Sequence, residues 1–365
     1  MKSFLLLVLL VTSVATASLP ASFKWSSSGA IVGAKDDGRG IAGIKDPSIV
    51  KIDGKYHVFA STAQASGYNL VYLSFTDFNS AKAATFHYLD QTPIGTGYRA
   101  VPQKWSAPKD FFSGTPSIIK ENIGTGYWVD MLVICDAENC HLFSSDDNGH
   151  LYRSQTTLAN FPSGFNNTVI ALSDTDKDNL YEASNVYRVE GGDYVLLVEA
   201  IGTDNARYFR SWTATSLSGP WTPLAATESD PFAGSRNVAF SGAAWTKSIS
   251  HGEVVRENTD QRLTINPCKL QYLYQGAGKP FLSQSPLEGG TVSRGGEDLV
   301  LLPYQLPIVV VSHVERELGS KLLCGFDMLR QCFDAPSSPF AQVVNVLATS
   351  RSEPQGNTIW HRRIL

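Results

Sequence analysis

Asp46-Pro47-Ser48-Ile49-Val50-Lys51-Ile52-Asp53-Gly54-Lys55-Tyr56-His57-Val58-Phe59 is answered 136 positions later by Glu182-Ala183-Ser184-Asn185-Val186-Tyr187-Arg188-Val189-Glu190-Gly191-Gly192-Asp193-Tyr194-Val195-Leu196-Leu197. Each stretch has an acid, a Ser two places on, an apolar alternation, a Gly turn and a Tyr-led apolar strand. A strand-turn-strand unit that repeats points to a propeller or solenoid, in which each unit buries its apolar face against the next. Two acids heading equivalent strands would then meet near the centre of such a ring.

Short strands broken by Gly, Asn, Asp and Ser turns continue from about 30 to 276, an all-β pattern. Inner-strand candidates are Ser48–Lys51, Tyr56–Ser61, Ser117–Ile119, Trp128–Cys135, Asn185–Val189 and Tyr194–Ala200. Leu70–Phe75, Gly149–Ser154 and Arg207–Trp212 read as outer strands. Units begin near 46, 117, 182 and 238, spaced by 71, 65 and 56 residues. Blades of roughly 40–50 residues with elaborated loops would fit. A β-sandwich is the alternative architecture.

Residues 1–17 read as a signal peptide. Lys2 gives the positive start, Phe4–Val11 is unbroken apolar, and Ala15-Thr16-Ala17 is a small-residue cleavage site. The apolar run is too short to span a bilayer, so the expectation is a secreted, extracellular chain with no membrane partner. Loss of Lys2 would take the formal charge from −4 to −5, which argues against nucleic acid as a partner. The 14 Tyr, 18 Phe and 7 Trp suit either sugar-stacking surfaces or a β core. Of five cysteines, Cys135 and Cys140 can pair across a turn; Cys268, Cys324 and Cys332 leave one thiol over. Asn166-Asn167-Thr168 is an N-glycosylation sequon beside the loop residues Pro162-Ser163-Gly164. The domain reading is 18–276 for the β domain. The tail, 277–365, lacks turn-and-strand punctuation and is read as disordered or as a gene-model artefact, although Leu299–Val314 is largely apolar and β-branched.

Three acids stand out. Asp46 heads a strand beside Lys45, a cation that favours the charged carboxylate. Glu182 heads an apolar strand, where an unpaired Glu is rare. Asp130 lies inside Trp128-Val129-Asp130-Met131-Leu132, so it either turns outward by alternation or faces a solvated cavity. If Asp130 lies near Glu182, like-charge coupling would keep Glu182 protonated. Two carboxylates flanking a bond are the machinery of glycoside hydrolysis: one protonates the leaving oxygen, the other activates water or attacks. The longer, protonated Glu182 suits the acid and Asp46 the base. His251 could line the channel and bind a metal, or be a satisfied core histidine. Ser145-Asp146-Asp147-Asn148-Gly149 resembles one Asp-box turn of sialidases, which alone is a hairpin motif.

These residues sit in longer strings: Ile44–Val50, Gly54–Phe59, Gly126–Asp130, Leu142–Ser154, Glu182–Tyr187, Arg207–Trp212 and Asn237–Gly242. Through them, residues 23–276 resemble glycoside hydrolase family 62, the secreted α-L-arabinofuranosidases. The resemblance implies a five-bladed β-propeller and an inverting mechanism, with Asp46 as base, Glu182 as acid and Asp130 as orienter and pKa modulator. It implies Lys45 and Asn185 in the arabinose pocket, and His251 holding one structural calcium ion in the channel. The substrate would be arabinoxylan or arabinoxylo-oligosaccharides, and the protein a monomer. A catalytically inactive glycan-binding propeller is the alternative.

The chain departs from the family twice. Ala100-Val101-Pro102-Gln103 runs straight into Lys104-Trp105-Ser106 where members carry most of a blade's strands, so blade 2 is truncated. After Gln275 it lacks the family's end, which supplies a sugar-contacting segment, a ring-closing strand and a Cys able to pair with Cys268.

Overall fold

The computed structural model describes residues 18–64, 67–91, 110–256 and 260–276, with the backbone of a strand at Ile308–Val314. The signal peptide, the junction at 103–104 and the remainder of the tail lie outside the described residues.

Strand β1 (Trp25–Ser27) is followed by an antiparallel meander of β2 (Ile41–Ile52), β3 (Lys55–Gln64), β4 (Gly67–Phe75) and β5 (His87–Tyr88). Asp53 and Gly54 both take positive φ, 49° and 76°, the two-residue turn whose twist matches a hairpin. A second meander is β6 (Val129–Cys135), β7 (Asn139–Ser145), β8 (His150–Thr157) and β9 (Asn166–Ser173). The third is β10 (Glu182–Val189), β11 (Tyr194–Ile201), β12 (Arg207–Ala214) and β13 (Thr222–Pro223). Then come β14 (Val238–Phe240), β15 (Ser250–Val254), β16 (Thr264–Ile265), β17 (Gln271–Gln275) and β18 (Ile308–Val314). Strand β16 returns to pair parallel with β10. The others join β1 in a fourth sheet, ordered β14-β1-β18-β17-β15.

Four all-β sheets are thus present among the described residues, as the alternation and turn pattern predict. Their innermost strands pack side by side: β6 on β10, β10 on β15, β15 on β2. The N-terminal strand closes onto the C-terminal sheet: Trp25 is buried at 2% exposure and its indole N–H donates to the Phe232 carbonyl at 2.5 Å. Phe23, Phe232 and Tyr272 pack edge-on around that contact. The tail reading of disorder does not extend to Ile308–Val314. Its β-branched run Ile308-Val309-Val310-Val311 suits a strand, and it lies between β1 and β17, antiparallel to both.

Two expected strands differ. Ser117–Ile119 is not an inner strand but the first turn of a helix, α1 (Ser117–Asn122). Pro116 precedes it, a residue suited to a helix entrance because its missing N–H has no intrahelical role there. The second unit therefore starts at Val129. The unit expected to begin near 238 opens with only the short β14, and its inner strand is β15. Cys135 and Cys140 are disulfide-bonded across the β6–β7 hairpin, and Cys268 is also disulfide-bonded. No described helix is long and apolar enough to cross a membrane.

Candidate active site

Each of the four innermost strands breaks register at an equivalent place, and β2 breaks once more, between Ile41 and Gly43. The irregularities fall between Lys45 and Ser48, Val129 and Leu132, Glu182 and Asn185, and Ser250 and Gly252. A residue with positive φ sits in each: Asp46 (51°), Asp130 (55°), Ala183 (55°) and His251 (22°). A bulge re-aims a side chain, and non-glycine residues hold positive φ only where the surroundings impose it. The repeat seen in sequence is therefore a repeated bulge, and it brings Asp46, Asp130, Glu182 and His251 to one centre. Beside His251, Gly252 is sterically required, because a Cβ there would lie 2.5 Å from the Leu273 carbonyl oxygen.

His251 is the hub. Its Nε2 lies 3.1 Å from Asp130 Oδ2 and 3.5 Å from Asp46 Oδ1; its Nδ1 is 3.3 Å from Glu199 Oε2. Burial works against an imidazolium, but Asp130, Asp46, Glu182 and Glu199 outweigh it and raise the His251 pKa well above the usual value. Nδ1 is buried against the Glu199 carboxylate.

Asp130 does not turn outward; it is buried. Its Oδ2 accepts the Ala183 N–H at 2.7 Å, so it fixes the backbone bulge next to Glu182. Arg207 Nη1 donates to Glu182 Oε1 at 3.2 Å and to Glu199 Oε1 at 2.9 Å, with the guanidinium 4.4 Å over the Tyr181 ring. The Glu182 carboxyl is pushed up to about 7, chiefly by burial; Asp130 and Glu199 add to the rise, while His251 and Arg207 oppose it. Like-charge coupling to Asp130 is thus real but second to desolvation. Asp46 Oδ1 lies 3.5 Å from the Lys45 ammonium and is buried without a hydrogen bond, while its N–H donates to Gln275 Oε1 at 2.5 Å. Asp46 raises the Lys45 pKa, and the Lys45 ammonium also sits 4.8 Å over the exposed Tyr68 ring. Asn185 is buried, its amide donating to the carbonyls of Gly252 (2.9 Å) and Ala183 (3.3 Å), which ties the third sheet to the fourth.

Several participants were not singled out by the sequence reading. Glu199 is wholly buried in β11, with Arg207, the Ser250 hydroxyl (3.1 Å) and the His251 N–H (2.6 Å) on its carboxylate. Burial raises its pKa, but His251 and Arg207 prevail and hold it below the usual value. An acid amid Leu197-Val198-Glu199-Ala200 carries the same signal as Asp130. Asp147, at φ 55°, has a buried Oδ1 without a partner; burial, then Glu182 and Asp130, push its carboxyl up to about 8. Its neighbour Asp146 is a turn organiser, accepting the N–H groups of Asn148 and His150 and the Tyr152 hydroxyl.

The arrangement holds a high-pKa carboxyl beside a cation-flanked carboxylate, the division of labour that acid–base hydrolysis of an acetal requires. Comparisons with known proteins agree. Residues 95–285 match the family described as glycosyl hydrolase family 62. Alpha-L-arabinofuranosidase C of Cellvibrio japonicus (strain Ueda107) is 39% identical over 298 residues, which cover 73% of this chain and 46% of that protein. The chain thus spans about half the length of that relative. The catalytic domain of the Coprinopsis cinerea family-62 α-L-arabinofuranosidase superposes with a TM-score of 0.72 at 52% identity, covering 82% of this chain and all of that one. An α-L-arabinofuranosidase from Podospora anserina, in complex with cellotriose, gives 0.71 at 50% identity over 81% of this chain and 99% of its own.

Proposed function

We propose a function from the premise that this chain belongs to glycosyl hydrolase family 62: a secreted, monomeric, inverting α-L-arabinofuranosidase that removes arabinofuranose branches from arabinoxylan and its oligosaccharides. The observation that carries the reading is the convergence of Asp46, Asp130 and Glu182 through one repeated bulge on three inner strands. Glu182 gives its proton to the glycosidic oxygen as the bond to the anomeric carbon breaks. Asp46 takes a proton from the water that attacks that carbon from the opposite face, so the arabinose leaves with the water's hydroxyl. Asp130 holds the backbone at Ala183 that aims Glu182. Lys45 and Asn185 line the sugar pocket in this reading, and the fold completes as a five-bladed propeller whose second blade is shortened.

Arabinose release from wheat arabinoxylan, with binding measured in parallel, tests the proposal. Binding without release would leave a glycan-binding module only. The Glu182 pKa of about 7 sets the pH dependence. The acid must be protonated, so kcat/KM is expected to fall as pH rises through about 7, by roughly tenfold per unit beyond it. A profile flat to pH 9 would remove Glu182 from the acid's role.

A calcium ion in the channel is part of the same proposal. The residues fit a cation: Asp130, Glu182 and His251 each offer a ligand atom within 4.8 Å of the others, and His251 meets Asp130 through Nε2. His251 would hold the ion, with an Asp130 oxygen supplying a hard donor of the kind calcium prefers. Bound there, it would supply positive charge to the carboxylate cluster. Calcium at about a hundred times its Kd should raise the unfolding temperature by roughly 5–10 °C; no shift with calcium or chelator would count against the ion.

A further inference from the structure

The outer edges of the four sheets are unequal. Three end in short strands: β5 and β13 have two residues each, β13 including Pro223, and β14 has three. The fourth edge is β9, eight residues long. Its sequence, Asn166-Asn167-Thr168-Val169-Ile170-Ala171-Leu172-Ser173, holds no charge, no Pro and no Gly. Val169 is 39% exposed on it. Register irregularities in the β8–β9 pairing bend the strand; among the described residues no further strand pairs with its outer side, and α1 packs beside it. A long, uncharged, β-branched edge is the kind of surface that pairs with a second chain, and proteins blunt it with charge, Pro, brevity or cover. Charge, Pro and brevity are absent from β9, which leaves its two register shifts and cover.

The strand's first residue offers it. Asn166 begins the chain's one Asn-X-Ser/Thr triplet, is exposed, and its amide nitrogen donates to the Gly164 carbonyl at 3.2 Å. Beside it lies a groove of about 340 Å³, walled by Phe112, Ser117, Phe165, Asn166 and Thr168. That volume is in the range of small-molecule sites, about 300–1,000 Å³. The half-buried Phe112 ring leans on the buried Phe165 ring, 5.8 Å between centroids, and gives the C–H face of a pyranose an apolar surface to meet.

We propose that Asn166 is an N-glycosylation site whose first N-acetylglucosamine seats in the Phe112–Phe165 groove, so that the glycan covers the open β9 edge. The proposal rests on the secreted reading given above, not on the catalytic one. The donor is an oligosaccharide linked to a lipid pyrophosphate. A bond forms from Asn166 Nδ2 to sugar C1, the C1–oxygen bond to the pyrophosphate breaks, and the amide proton leaves as the pyrophosphate is released. The chemistry takes place on the extended chain, before Thr168 Oγ1 engages Ser154 Oγ at 2.8 Å.

The full chain is expressed in a yeast host and followed by intact mass, endoglycosidase trimming to one N-acetylglucosamine, and light scattering on warming. One glycan at Asn166 is expected. Asn166→Gln and Thr168→Ala should both aggregate at least threefold faster, with arabinose release per folded molecule unchanged. The single-sugar form should keep at least half of the protection, and Phe112→Ser should lose it while still carrying the sugar. An unoccupied Asn166 in secreted protein overturns the site. A single-sugar form as prone to aggregate as Asn166→Gln overturns the seat. A chain retained in the cytosol overturns the secreted reading and the glycan together, while leaving catalysis untouched.

Discussion

Glu182→Gln is expected to cut arabinose release by about 10³-fold or more while leaving oligosaccharide binding within a few-fold of wild type. Gln keeps the length and one oxygen of Glu182, so the contact from Arg207 Nη1, 3.2 Å in the wild type, survives. What disappears is the proton. A positioned general acid contributes roughly 10²–10⁴-fold, and a sugar alkoxide is a poor leaving group without it. Burial raises the Glu182 pKa to about 7, so the wild-type group is largely protonated at mildly acidic pH. Residual release above about a tenth of wild type, with binding intact, would assign the acid's role elsewhere. Asp147 would be the next candidate, since its carboxyl is pushed to about 8 in the same neighbourhood.

Glu199→Ala is expected to be the most damaging single change to stability. The carboxylate is wholly buried and anchors Arg207, the Ser250 hydroxyl and the His251 backbone N–H. Its removal strands cations that the fold has desolvated. Breaking a buried ion pair from one side costs about 3–5 kcal/mol, a fall in Tm on the order of 10 °C for a chain of this size. The pH dependence carries a sign. Because the folded pKa of Glu199 is depressed, its stabilisation is fully present above the unfolded value of about 4.3. It is lost as pH falls through the lower folded value. The variant should therefore lose least, relative to wild type, in strong acid. A Tm within about 2 °C of wild type at pH 7 would mean that Arg207 and His251 are satisfied without Glu199.

The centre of the fold was largely legible because its chemistry defies its surroundings. Asp46, Asp130 and Glu182 are acids in apolar strands, and each proves to sit at a register break. Glu199 carried that signal as clearly, but no neighbouring motif framed it. Two local errors have physical causes. Ser117-Ile118-Ile119 has strand-like β-branched content, yet Pro116 before it and Gly124 after it are helix punctuation. The apolar string from Val238 reads as the start of the last unit, whereas the inner strand begins at Ser250. Asn185 reads as a sugar contact, and its amide nitrogen has a second task that the sequence does not announce, tying β10 to β15. Such a role depends on which strands become neighbours, which local sequence does not encode. Ile308–Val314 was apolar enough to be a strand, but its place between β1 and β17 is a long-range pairing of the same kind.

Proton NMR of the first turnovers on an arabinoxylo-oligosaccharide tests the central claim, that Asp46 and Glu182 act as base and acid across one bond. The account predicts that β-arabinofuranose appears first and only later mutarotates, as inversion requires with the two carboxyls about 6.5–9.5 Å apart. Initial release of α-arabinofuranose would mean retention through a covalent intermediate and would contradict it.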